Sequence, residues 1–202
     1  MSGKFDMWDE RYGKQGYFYG SEPNDFLKSC CEVIPKGGRI LCIGEGEGRN
    51  AVYLAGLGYQ VTAVDGSAQG LRKLAELAAQ RGVTVQTVCA DLTDYQMGDG
   101  VWDGIVSIWC HLPQPLRTSV HRRSVAALSP GGHFILEAYT PKQLEYKTGG
   151  PPDAALLMTL QALQQELDGL VFVHGIEIIR NVAEGTGHIG LSAVVQVLAR
   201  KP

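Results

Sequence analysis

A chain of 202 residues, 45% hydrophobic and 19% charged with a formal charge of -3, has the make-up of one folded unit with a substantial core. That balance excludes a largely disordered chain and a basic nucleic-acid surface, and no apolar run reaches the length of a membrane span. Five cysteines, at 30, 31, 42, 89 and 110, form no C-x-x-C pair and suit a reducing compartment, so a cytoplasmic protein is expected.

Residues 1–24 carry six aromatics (Phe5, Trp8, Tyr12, Tyr17, Phe18 and Tyr19) and then G-S-E-P-N, the composition of an arm that packs on the body near the ligand site. A short helix is predicted over 25–33, ended by P-K-G-G. Arg39 to Asn50, R-I-L-C-I-G-E-G-E-G-R-N, then reads as an apolar strand, a turn with glycines at 44, 46 and 48, and the start of a helix running to about Gly58. Alternate glycines between strand and helix open a crevice for a small cofactor. The turn is neither G-x-G-x-x-G nor a G-K-[ST] phosphate loop, and Glu45 and Glu47 favour a cofactor with a cationic end over a pyrophosphate.

Further along, strands are predicted at 60–64, 83–88, 104–109 and 133–138, with helices at 68–81 (Leu71, Leu74, Ala75 and Ala78 on one face), 113–128 and 154–167. The segments 171–180 and 188–199 are separated by N-V-A-E-G-T-G, too short for a crossover helix, so they are antiparallel. The expected architecture is a doubly wound α/β fold with a mostly parallel seven-stranded sheet and a C-terminal antiparallel hairpin, one domain over 1–202.

In such a sheet the ligand lies across the carboxyl ends of the strands. Asp65 ends the second strand 21 residues beyond Gly44, the separation at which a carboxylate accepts ribose hydroxyls. D-G-S is also turn chemistry, and Asp91 is equally a turn cap. The run R-T-S-V-H-R-R at 117–123 reads as a solvated helix face in preference to an RNA footprint, and the five histidines lack metal-ligand spacing with cysteines. Cys110 reads as a small buried hydrophobe.

Four ordered features carry a family resemblance: G-E-G-E-G-R-N-A-V-Y-L-A at 44–55, V-T-A-V-D at 61–65, D-L at 91–92 and L-S-P-G-G-H-F-I-L-E at 128–137. Together they resemble the class I S-adenosylmethionine-dependent methyltransferases, nearest the small tellurite-resistance and thiopurine-type branch, over nearly the whole chain. The resemblance implies a Rossmann-like methyltransferase fold with S-adenosylmethionine as cofactor. Its contacts would come from Tyr19, Gly44, Glu45, Gly46, Gly48, Arg49, Asn50, Asp65, Gly66, Ser67, Asp91, Leu92 and Ser107. Arg49 and Asn50 read equally as first-turn helix residues, and Glu45 stands where this branch often has cysteine. Catalytic candidates follow the fourth strand or sit at the hairpin: His111, Arg180 and His188. Each has a plain structural alternative, a helix cap for His111 and a paired polar position for the other two. The implied reaction is methyl transfer to a small soft or anionic acceptor (thiol, selenite or tellurite). The alternatives are an N- or O-methyltransferase of a metabolite using a general base, or a non-catalytic cofactor-binding scaffold. The partner is a small molecule, with no membrane or nucleic acid; the sequence leaves oligomeric state and acceptor open.

Overall fold

A computed structural model describes Gly3 and residues 5–202; Met1, Ser2 and Lys4 of the arm lie outside the described residues. The arm contains a helix that its turn-rich composition did not suggest, α1 (Asp6–Tyr12), followed by α2 (Asp25–Cys30), which a one-turn 3-10 segment extends to Val33. Asn24 caps α2 by accepting from Leu27 N–H. The Rossmann-like core follows as β1 (Arg39–Ile43), α3 (Arg49–Gly56), β2 (Gln60–Asp65), α4 (Ala68–Gln80), β3 (Gln86–Cys89) and β4 (Trp102–Ile108). Then come α5 (Gln114–Ala127), β5 (Leu128–Tyr139), α6 (Leu160–Glu166), β6 (Val171–Glu184) and β7 (His188–Arg200).

The seven strands form one sheet in the order β3-β2-β1-β4-β5-β7-β6. β1 to β5 pair in parallel, and β7 enters antiparallel between β5 and β6. The strand order reverses between β1 and β4, which sets the switch-point crevice at the end of β1. Two apolar cores cover the two faces, one centred on Leu41, Ile105, Phe134 and Leu163, the other on Leu27, Ile40, Leu54 and Leu74.

Several boundaries differ from the sequence expectation. β3 is shorter and starts at Gln86; β5 starts at Leu128, so S-P-G-G belongs to the strand, where the β4 pairing shifts register between Trp102 and Gly104. The predicted helix at 154–167 is a 3-10 turn (Ala154–Leu156) plus α6, begun by the Thr159 cap. On α4, Ala75 is exposed, and Leu77 and the aliphatic stem of Lys73 take the buried face. The solvated-face reading of the basic run is overturned: Arg117, His121 and Ser124 are buried, and Arg117 and His121 both bond Glu166 of α6.

Candidate active site

The glycine turn is shaped by what presses on it. Gly46 and Gly48 have φ of 60° and 92°, conformations that favour glycine. A β-carbon on Gly48 would overlap Leu74 of α4, and one on Gly46 would lie 2.6 Å from Tyr12 Oη of the arm. Asp65, at the end of β2, ties the turn to the next helix: Oδ2 accepts from Gly46 N–H (2.8 Å) and Oδ1 from Ser67 N–H (2.7 Å). Burial raises its pKa despite these bonds. Ser67 caps α4 by accepting from Gly70 N–H and donates to Asp9 of α1 (2.5 Å).

The two loop acids have separate tasks. Glu45 accepts from Ala51 N–H (2.8 Å) at the start of α3, and burial lifts its pKa to about 7 against that bond and the nearby Arg49. Glu47 is buried and committed to the protein: it pairs with Lys73 (2.9 Å) and accepts from Phe18 N–H (2.7 Å) and Tyr19 N–H (3.3 Å). Lys73 also donates to the carbonyls of Lys14 and Gly16. Residues 14–19 are thereby anchored, and the arm lies across the turn, with Phe5 against Gly66 and Tyr12 against Gly46.

Arg49 and Asn50 are turned toward the protein. Arg49 donates to Glu184 (2.5 Å), and Asn50 Oδ1 accepts from Asn24 N–H (2.9 Å). At the next strand ends, Asp91 Oδ1 accepts from Thr93 N–H (2.8 Å), Leu92 is buried in the core, and Ser107 is buried within β4 opposite Leu136.

Past β4, Trp109 holds a left-handed backbone (φ 57°), unusual for a bulky residue. Its ring stacks on Tyr139 at the end of β5 (4.4 Å between centroids) and meets His188 at the start of β7 (4.9 Å). Tyr19 lies 4.6 Å from His188 on the arm side. Trp109 Nε1 donates to Glu184 (2.6 Å), and His188 Nδ1 stands 3.8 Å from the same carboxylate, at ion-pair distance. Burial pushes Glu184 up, but hydrogen bonds and charge from His188, Arg49 and Trp109 outweigh it and hold the carboxyl at about 2. Burial lowers His188, so its imidazole is neutral near pH 7. Tyr139 Oη and His188 Nδ1 are buried with no hydrogen-bond partner among the described residues.

The three catalytic candidates thus have different standing. His188 sits in the aromatic cluster with Glu184 behind it. His111 is close by, but its Nδ1 faces Leu156 carbonyl (3.1 Å) and its Nε2 faces Tyr139 N–H (3.5 Å); burial lowers it to about 4. Arg180 is committed to Glu137, through Nε (2.8 Å) and Nη2 (2.6 Å), so it does not present a free cation. Glu137 is fully buried and also accepts from Asn24 and from Gln196 (2.7 Å). Neither Asn24 nor Glu137 was a site candidate in the sequence, although Glu137 ends the L-S-P-G-G-H-F-I-L-E motif as a polar residue within an apolar run.

The donor set at the crevice suits a cofactor with a cationic sulfonium and a ribose. A carboxylate with two backbone donors retains acceptor capacity for hydroxyls, and the basic groups Arg49 and Lys73 are neutralised by Glu184 and Glu47. No group of three or more His, Cys, Asp or Glu among the described residues is placed to hold a metal, and none of their helices is long and apolar enough to cross a membrane.

Sheet order, glycine turn and Asp65 together define the class I S-adenosylmethionine-dependent methyltransferase fold. A methyltransferase-domain family model matches residues 40–132. The 2-heptyl-1-hydroxyquinolin-4(1H)-one methyltransferase of Mycobacteroides abscessus is 29% identical over 119 residues, 57% of this chain. That match spans 50% of the relative's own length. Among solved structures, a protein studied for the conversion of a disulfide bond into a thioacetal group during echinomycin biosynthesis has a TM-score of 0.80 at 18% identity, covering 98% of this chain and 92% of that one. TehB from Haemophilus influenzae has a TM-score of 0.72 at 20% identity, covering 98% and 66%.

Proposed function

We propose that this chain is a methyltransferase that takes its methyl group from S-adenosylmethionine and passes it to a small-molecule acceptor whose proton His188 removes. The observation that carries this reading is the placement of His188 Nδ1 3.8 Å from Glu184 inside an aromatic cluster, with Arg49 at the start of α3 on the same carboxylate. Asp65 would hold the ribose hydroxyls, Leu92 the adenine face, and Glu45 and Gly44 the methionyl end. S-adenosylmethionine supplies an electrophilic methyl on a sulfonium, so the chain's task is to align an acceptor lone pair and keep the site dry.

Glu184 faces Nδ1 of His188, which leaves the Nε2 lone pair for the acceptor proton. The acceptor loses that proton to Nε2 as it takes the methyl, and the ionised Glu184 stabilises the resulting imidazolium. This favours a hydroxyl, N-hydroxyl or thiol over selenite or tellurite, because Arg49 and Arg180 are both tied to carboxylates. The N-hydroxy compound in the relative's name is an acceptor of that kind.

Titration calorimetry with S-adenosylhomocysteine is expected to give one site per chain, weakened by Asp65→Asn; no heat with the wild type would end the cofactor assignment. An acceptor panel then tests the chemistry. His188→Ala is expected to slow transfer to hydroxyl acceptors by about 10²–10⁴-fold and to spare a thiol assayed above its own pKa. Equal loss on both acceptor types, or turnover of tellurite alone, would sink the general-base reading.

A further inference from the structure

Strand β6 is the open edge of the sheet, 14 residues long, and most of it is exposed on both faces. Val171 and Val173 are 58% and 61% exposed, and Ile176 and Ile179, which point to opposite faces, are 41% and 47% exposed. Ile189 and Leu191 extend the patch one strand inward; Leu191 lies opposite Asn181 and so shares the face of Ile179. Natural edges of this length are normally blunted by lysine, proline or outward charge. Residues 171–184 contain no lysine or proline. Of their charged side chains Glu177 alone is exposed, and it accepts from Leu160 N–H; Arg180 bonds Glu137 and Glu184 is buried.

We infer that this edge is the seam of a two-fold dimer, with β6 pairing antiparallel to β6 of a second copy of the chain. The partner must offer a free strand edge of matching length. The sheet's other edge, β3, has four residues, so head-to-tail pairing would leave most of β6 uncovered and would propagate without closing. β6 against itself matches end to end, satisfies the open backbone groups of both copies and closes the assembly at two. A seam about 45 Å long, flanked by valine and isoleucine on both faces, approaches the roughly 800 Å² per partner of a standard interface.

Light scattering on the intact chain at micromolar concentration is expected to give about 44 kDa, twice the 21.8 kDa of one chain. The double variant Ile176→Lys/Ile179→Lys is expected to halve that mass, whereas Leu57→Lys, at an exposed apolar position outside the patch, is expected to keep it. Hydrogen exchange on the wild type provides a readout that needs no variant: outward-facing β6 amides become more protected as protein concentration rises. A single-chain mass at all concentrations, assemblies that grow past two, or β6 amides that exchange independently of concentration would each overturn the dimer.

Discussion

Glu184 receives a guanidinium from Arg49, an indole N–H from Trp109 and the approach of His188, so one carboxylate ties the fold to the proposed base. Glu184→Gln is expected to leave Arg49 buried without its counter-ion, a loss of about 3–5 kcal/mol in denaturant titration. It should also raise the energy of a protonated His188, lowering kcat more than KM. The pH dependence follows from His188 itself. Burial lowers its folded pKa, so the active neutral form is present above that pKa and lost below it. The rate is expected to rise with pH along a limb centred below 6.5 and then flatten, and His188→Ala should abolish the limb. His111, lowered to about 4, acts on stability instead: the unfolded chain binds its proton first, so stability falls as pH drops from 6.5 toward 4. Of these residues, His111 was legible as a candidate because it follows the fourth strand and His188 because it sits at the terminal hairpin. Their different roles were not: His111 is held by Leu156, 45 residues away, and the hairpin pairing that sets Glu184 opposite His188 does not show that burial excludes other partners.

At the scale of elements, the α5–α6 contact shows how a polar stripe can be a core. Arg117 and His121, one turn apart, converge on Glu166, and burial of that carboxyl is outweighed by His121 and Arg117, which hold it at about 2. A depressed carboxyl stabilises the fold above its unfolded pKa near 4.5 and loses that contribution as pH falls toward 2. The shift corresponds to about 3 kcal/mol. Glu166→Gln is therefore expected to lower Tm at pH 7 and to have little effect near pH 2, as thermal melts at the two pH values would show. The helix wheel places Arg117, His121 and Ser124 on one face, but not which way that face points. Its partner lies 45 residues away, on a helix whose start was set by the Thr159 cap.

At the scale of the molecule, the parallel sheet and the terminal hairpin were legible, because apolar strands, glycine punctuation and a seven-residue link limit the topologies available. The sheet also shows why some boundaries were hidden. S-P-G-G is turn chemistry in isolation, and here it is the irregular stretch of β5 between Leu128 and His133, where the β4 register shifts and Gly131 and Gly132 bond Lys201 instead. Helix α1 has no strong local pattern and is held by Asp9 to Ser67 and Gln69. Removing residues 1–13 is expected to weaken S-adenosylhomocysteine binding more than it lowers Tm, since that segment covers the turn while residues 14–19 stay anchored by Lys73. Calorimetry and a melt on the same sample separate the two effects.

The buried charges around Glu137 bear on how the chain is made as well as on how it is held. Asn24, Arg49 and Glu137 leave the ribosome before Arg180, Glu184 and Gln196, to which they are bonded directly or through a shared carboxylate. Until they arrive, the centre of the sheet holds an anion without its cation. A nascent chain that ends before β6 is therefore expected to stay collapsed and dye-binding, and the β6–β7 hairpin converts it in one cooperative step.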